Sequence, residues 1–227
     1  MINMNHVTLN NKDYKKVAGL ESLNMFKGQL YETIVTTQNG ELVKNAAPIG
    51  VICKDSNHVV IHLDNCVHTH LNILENGELI VNITKDPLVF TYSTLGELEE
   101  EYFDEFKGFP MIKDSIGFFK AHVVKTRNKK RENDYNDGIG NIVTCEVDDI
   151  YISDYKEIVP LNRAMNAVIE SLIYYCRFDH KYSHMQKEIW THMKELNRVC
   201  HKVGNESEKK SMELILAKMK ETHDYLE

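Results

Sequence analysis

Hydrophobic positions along this chain follow two periods, and the change between them falls at Pro160. Before it, apolar residues come in short alternating runs, the period of half-buried strands; after it they recur every three or four residues, the period of helices. Leu30–Thr37, rich in Thr, Ile and Val, predicts a first strand. Asn39-Gly40 supplies the positive φ angles of a tight hairpin turn, and Leu42–Lys54 returns as the second strand. Pro48 has no N–H to give a ladder and Gly50 has no side chain. An irregular or ligand-facing segment is therefore expected at Ala47, Pro48, Ile49 and Gly50. Asp55-Ser56-Asn57 turns the chain into a third strand, His58–Leu63.

Over Asn65–Asn76 the spacing becomes helical, with Val67, Leu71 and Leu74 on one face and Asn76-Gly77 as the stop. Glu78–Thr84 is a fourth strand, broken at Asp86-Pro87, after which a second short helix fits. The acidic run ELEEEYFDEFKGFP reads as a solvated loop or as a lid over a site. Gly117–Arg127 and Asn141–Ser153 are two more strands joined by a basic, Asn- and Gly-rich excursion. The first 28 residues are polar, with a short helix expected around Val17–Met25 and Gly28 ending it.

Six strands with short helices between them favour a barrel, because closure removes exposed edges. Three helical faces follow: Leu161, Ala164, Val168, Leu172 and Tyr175; Met185, Ile189, Met193, Leu196, Val199 and Val203; and Met212, Ile215, Leu216 and Met219. The expected class is α+β. A six-stranded antiparallel split β-barrel (residues 1–157, with an extension over 1–28) precedes a three-helix C-terminal region (158–227).

The formal net charge is −7, so neither nucleic acid nor an anionic membrane is an obvious partner. From Ile158 onward there are 11 Lys/Arg against 10 Asp/Glu, leaving 16 against 24 before it. Any phosphate bound by the acidic N-terminal part must be held by local donors. Five widely spaced cysteines without a C-x-x-C pair argue against a disulfide framework and a zinc knuckle. The N-terminus has no apolar signal-like core and no run long enough to span a membrane, so a soluble cytoplasmic protein is expected.

NAAPIGV in the second strand, THLNI opening the short helix and GELIVNI in the next strand resemble the flavin-reductase-like branch of the FMN-binding split barrels. The chain is similar to a group of uncharacterised archaeal proteins, mostly from methanogens, which join such a barrel to a helical tail. That tail reads LNRAMNAVIESLIYYCR here, Leu161–Arg177. The resemblance implies bound FMN, a homodimer with flavin at the subunit interface, and flavin-dependent electron or hydride transfer.

It places the isoalloxazine ring against Ala47, Pro48, Ile49 and Gly50, and the phosphate at Thr69 at the start of the helix. Thr69 is otherwise an ordinary N-cap. Asn72 and Asn82 match the family's Asn positions, where each either touches flavin or ties down a loop. Many flavin reductases have Lys-Asp-Thr before this helix; here it is Val67-His68-Thr69, and the expected cation is missing. His68, His70, Arg163 or a partner's basic residue would compensate.

Arg163 and Arg177 lie on one face of a predicted helix, where they would clamp a phosphate or carboxylate, or pair with Glu170 or the acidic barrel. His180, His184 and Glu188 make only half a metal site, and no metal is expected. Lys125–Arg131 is basic but lacks interleaved aromatics, which favours a solvated hairpin over nucleic-acid binding. No catalytic acid or base is identified, since in flavin chemistry the cofactor reacts and the protein positions it. The expected function is an FMN-dependent oxidoreductase of unknown electron donor and substrate. A carrier or sensor without turnover, and a deazaflavin-binding protein on the same barrel, are the alternatives.

Overall fold

The computed structural model describes residues 6–64, 67–96, 98–130, 139–154, 158–178 and 183–223. It divides into two compact units, Met1–Leu161 and Asn162–Glu227. In the first, strands β1 (His6–Leu9), β2 (Lys12–Val17), β3 (Leu30–Gln38), β4 (Lys44–Asp55) and β5 (His58–Asp64) lead to helix α1 (His68–Asn76). Then come β6 (Glu78–Ile83), α2 (Pro87–Leu95), β7 (Phe103–Phe106), β8 (Phe109–Ile112), β9 (Gly117–Lys130) and β10 (Ile139–Ser153).

Six of these strands close on themselves in the order β10-β5-β4-β3-β6-β9, with β9 pairing back onto β10. Every pairing in the ring is antiparallel. Alternate residues point inward, as a pleated strand requires: Val59, Ile61 and Leu63; Leu79, Val81 and Ile83; Phe119 and Ala121; Val143 and Cys145 all enter one apolar core. Burial pushes the thiol pKa values of Cys53 and Cys145 up to about 11 and about 12. Cys53, Cys145, Cys176 and Cys200 are free thiols.

Outside the barrel, β1 and β2 form a hairpin that extends the sheet from β10, with Val17 opposite Ile150. The sequence pattern assigns no strand before Gly28. Asn10 and Asn11 take the two positive φ angles of the turn, 47° and 62°, a conformation that Asn tolerates. Only a four-residue 3₁₀ turn, Leu20–Leu23, stands where a helix over Val17–Met25 was expected.

The second half of the acidic run is not a loop. It is the hairpin β7–β8, turned by Lys107 (φ 50°) and Gly108 (φ 78°), with Phe106 and Met111 buried against Tyr14, Phe118 and Tyr151. The four rings stand 5.1 to 5.4 Å apart, centroid to centroid, three pairs edge to face and one stacked.

The Asp86-Pro87 break is also a helix start: Asp86 Oδ1 accepts from Leu88 N at 2.8 Å, and Pro87 opens α2.

The second unit holds α3 (Ala164–Arg177), α4 (Ser183–Val203) and α5 (Glu206–Thr222), so the described residues contain five α-helices, two of them in the barrel unit. Asn205 and Glu208 form a reciprocal capping box at the start of α5. The chain turns at Gly204, where a β-carbon would stand 2.5 Å from Cys200 O and 3.2 Å from the Ala164 side chain. On α3 the buried residues are Ala164, Ala167, Val168 and Ser171, whereas Met165, Ile169 and Leu172 are exposed. The expected face was therefore rotated: Leu172 lies outside it and small residues line the contact. No helix among the described residues is long and apolar enough to cross a membrane.

Candidate functional site

Strand β4 has two unlike halves. Among the described residues Val51 and Ile52 are paired on both sides, by β3 and β5, and Cys53 and Asp55 by β5, while Lys44–Gly50 is paired by β3 alone. The β3–β4 ladder runs without a register shift from Leu30↔Ile52 to Gln38↔Lys44. The expected irregularity at Ala47, Pro48, Ile49 and Gly50 is thus absent, and the segment is a regular open edge.

Cys53 N donates to Gln29 O at 3.0 Å, and Thr33 Oγ1 to Ile49 O at 2.9 Å, which fixes the ladder's phase. Odd positions face β3; Ala46, Pro48 and Gly50 direct their nitrogens to the open edge. Proline is tolerated there because its missing N–H has no ladder partner to lose. Gly50 has a packing role as well: a β-carbon would stand 3.0 Å from Leu30 Cδ2.

The hairpin joining these strands also differs from expectation. Positive φ falls on Leu42 (64°) and not on Gly40, and the loop spans residues 39–43. Asn39 holds it, its side-chain oxygen accepting from Glu41 N and Val43 N at 3.0 and 2.8 Å. Asn76 Nδ2 donates to Gln38 O at 2.6 Å and ties the end of α1 to the same corner.

There α1 meets β3 and β4 with its polar face inward. Thr69, His70, Asn72 and Ile73 are buried, whereas Val67, Leu71 and Leu74 are 37%, 52% and 60% exposed. The helical spacing of the apolar residues was read correctly, but the face they form looks outward.

Thr69 is not the N-cap, because Val67 occupies that position and offers no side-chain cap. As the second helical residue it is 1% exposed, and its hydroxyl accepts from Asn45 Nδ2 at 2.9 Å. Asn45 Nδ2 also donates to Thr37 Oγ1 at 3.3 Å, and Asn72 Nδ2 donates to the same hydroxyl at 3.0 Å. His70 and Thr69 are neighbours in α1, and His70 Nε2 lies 2.8 Å from Asn141 Nδ2 of β10. His68 is exposed at the helix start.

Asn82 belongs elsewhere. Fully buried, it donates to Ile34 O and Thr36 Oγ1 at 3.0 Å each and accepts from Ile112 N at 2.9 Å. Both amide protons and the carbonyl are engaged, so it joins β3, β6 and β8 and has no group left for a flavin. Of its two expected roles, the tie is the one the geometry supports.

Arg163 precedes α3 and Arg177 ends it, both in the second unit. At 1.5 Å of rise per residue they stand about 21 Å apart along the helix, too far to clamp one phosphate together. Lys44 adjoins Asn45 but alternates to the opposite face, where it pairs with Glu100 and stands 5.6 Å over the Phe103 ring. His180 and the His184 side chain lie outside the described residues, as do Cys66 and the tip of the basic hairpin at 131–138.

Thr37 and Asn45 were not singled out from the sequence. The only signal was their position, Asn45 directly before A-A-P-I-G and Thr37 two residues before Asn39-Gly40. Among the described residues neither the Thr37 nor the Thr69 hydroxyl proton has an acceptor. Beside them, the His68 and Thr69 amides precede the first bond back to Val67 O, which His70 N and Leu71 N make at 3.0 and 3.2 Å. Such a donor set suits an oxyanion. The open β4 edge adds backbone groups for a planar polar ring, so the residues present fit a flavin phosphate and its ring.

Residues 31–142 match the family model described as the N-terminal domain of a protein of unknown function, DUF447, and residues 162–217 match a second DUF447 model. The chain belongs to the DUF447 family. The crystal structure of the FMN-bound DUF447 protein MM1853 from Methanosarcina mazei is 25% identical, covering 87% of this chain and 98% of that one with a TM-score of 0.50. Other solved structures that the chain resembles are more distant. The styrene monooxygenase flavin reductase of Pseudomonas putida is 11% identical, covering 58% of this chain and 93% of that one (TM-score 0.42). An FMN-binding protein from Thermus thermophilus, with bound p-hydroxybenzaldehyde, is 9% identical over 58% and 77% (TM-score 0.46).

Proposed function

We propose that this DUF447 protein binds FMN at the corner of β3, β4 and α1 and acts as a flavin-dependent oxidoreductase. The observation that carries the proposal is the pair of buried hydroxyls, Thr37 and Thr69, with no acceptor for their protons, beside an open β4 edge. The FMN held by its relative from Methanosarcina supports it. In this arrangement Thr69, the first-turn amides of α1 and His68 face the phosphate, while Ala47, Pro48, Ile49 and Gly50 line the ring. Asn72 acts by holding Thr37. When bound, FMN supplies two-electron transfer; the chain binds it, orients it and keeps water from one face.

The molecule works as a homodimer. The outward apolar face of α1 (Val67, Leu71, Leu74), with Leu42 and Val43 exposed on the loop beside its C-terminal end, is the surface a second copy would cover. Titration with FMN, followed by flavin fluorescence and melting temperature, tests the binding. Protein that purifies colourless from flavin-replete cells and responds to FMN by neither readout refutes it. Arg163→Ala and Arg177→Ala in the same titration test whether either supplies the missing cation. Stopped-flow mixing with NADH, NADPH and reduced deazaflavin then separates a reductase from a carrier, which none of the donors would reduce.

A further inference from the structure

We infer that Asn45 and Thr37 are positioning residues that let this corner select a phosphorylated flavin through oriented neutral donors; the inference rests on the FMN proposal above. An amide nitrogen can only donate, and Asn45 Nδ2 lies within hydrogen-bond distance of two hydroxyl oxygens, Thr37 Oγ1 and Thr69 Oγ1. Both its protons are thereby used. Thr37 Oγ1 also receives a proton from Asn72 Nδ2, so both of its lone pairs are filled. Neither hydroxyl has an acceptor among the described residues for its own proton.

The consequence is a fixed polarity. Asn45 and Asn72 push the hydroxyl protons away from themselves, and both hydroxyls are buried, at 0% and 1% exposure. Thr37 Oγ1 has no lone pair left to accept with and Thr69 Oγ1 keeps one, so a phosphate oxygen at Thr69 finds a proton that Asn45 has turned away from itself. This explains how an acidic barrel lacking the expected lysine before α1 can hold a phosphate. The ammonium's place is taken by hydroxyl protons that cannot turn back, in a buried corner where a hydrogen bond is stronger than in water. Asn45 differs from Asn82 in this respect: Asn82 joins three strands and leaves no unmatched proton behind.

The test compares FMN with riboflavin, which lacks only the phosphate, by fluorescence titration of the full chain. Asn45→Ala and Thr37→Val should each weaken FMN binding about tenfold and leave riboflavin within about twofold. Thr37→Ser, which keeps the hydroxyl, should restore FMN binding. In a double-mutant cycle, Asn45→Ala should cost much less in a Thr69→Val background, because Asn45 acts through Thr69. Thermal melts of each variant identify any that fail to fold, and Thr37→Ser remains an independent probe if Asn45→Ala does. Equal losses for FMN and riboflavin, additive effects of Asn45→Ala and Thr69→Val, or no loss overturn the inference while leaving FMN binding intact. Wild-type protein that binds neither flavin overturns both.

Discussion

An outer flank and one end of the same barrel contrast in chemistry. On the flank, Tyr14, Phe106, Phe118 and Tyr151 stack under the β7–β8 hairpin, and the neighbouring polar groups are matched: Tyr14 OH donates to Ser115 O at 3.0 Å, and Asn82 reaches Ile112 N. At the end, Thr37, Asn45, Thr69 and Asn72 form a buried polar corner with hydroxyl protons left over. A region whose groups are matched contributes stability; one that keeps unmatched donors gives up some stability in exchange for a binding site. Variants in the two regions should therefore separate stability from flavin affinity.

The largest effect is expected from Phe118→Ala. Phe118 is fully buried and touches three of the other rings, so its loss should cost about 3–5 kcal/mol in urea unfolding. FMN affinity of the folded fraction should stay within about twofold, as Phe118 packs in the outer aromatic cluster and not among Thr37, Asn45, Thr69 and Asn72. A parallel loss of affinity would show that the two regions are coupled. Next is Asn82→Leu, which orphans the Ile112 N–H and removes the donors to Ile34 O and Thr36 Oγ1. About 1–3 kcal/mol of stability should be lost, with FMN affinity again unchanged. A large fall in affinity instead would return Asn82 to the site.

How much of this was legible beforehand differs between the two regions for physical reasons. The six barrel strands announce themselves because one face of each is buried in the core, which imposes a period of two on residues such as Val59, Ile61 and Leu63. The β1–β2 hairpin does not, since Tyr14 is its one fully buried residue and lysines surround it. β7 was hidden by Asp104 and Glu105, although Lys107-Gly108 between two Phe-containing runs was a turn signal.

On α1, periodicity located the helix but could not say which face turns inward. The barrel end it meets is polar, through Thr37, Asn45 and Asn141, and that becomes visible only when strands distant in sequence are brought together. Sequence likeness pointed to Thr69; its partners Thr37 and Asn45 are ordinary polar residues until the barrel closes.

A smaller, pH-dependent effect is expected where the aromatic flank is fastened electrostatically. Asp149 of β10 is buried and pairs with Lys107 from the β7–β8 turn and Lys16 from β2. Burial alone would raise the Asp149 pKa, but the hydrogen bonds and charges of the two lysines outweigh it and hold the carboxyl below its ordinary value. A carboxyl depressed in the folded state stabilises above its unfolded pKa of about 3.9, and that contribution is lost as pH falls through the folded pKa. Asp149→Asn should therefore lower the melting temperature at pH 7, and the gap from wild type should narrow as pH falls below about 4. A gap independent of pH would mean that the triad acts by packing alone.

The smallest effect on the fold should come from the outward face of α1, and this sharpens the contrast most. Leu71 and Leu74 are 52% and 60% exposed, so Leu71→Ser with Leu74→Ser removes little buried surface from the single chain. Stability of the isolated subunit should change by only about 0.5 kcal/mol per site. If a second copy covers this face, the same two changes should convert a dimer to a monomer in sedimentation and make the melting temperature of wild type, but not of the variant, depend on protein concentration. A wild-type protein that sediments as a monomer would remove the dimer from the proposal. It would also leave the turned-out apolar face of α1 as a cost of presenting the polar face inward to the corner.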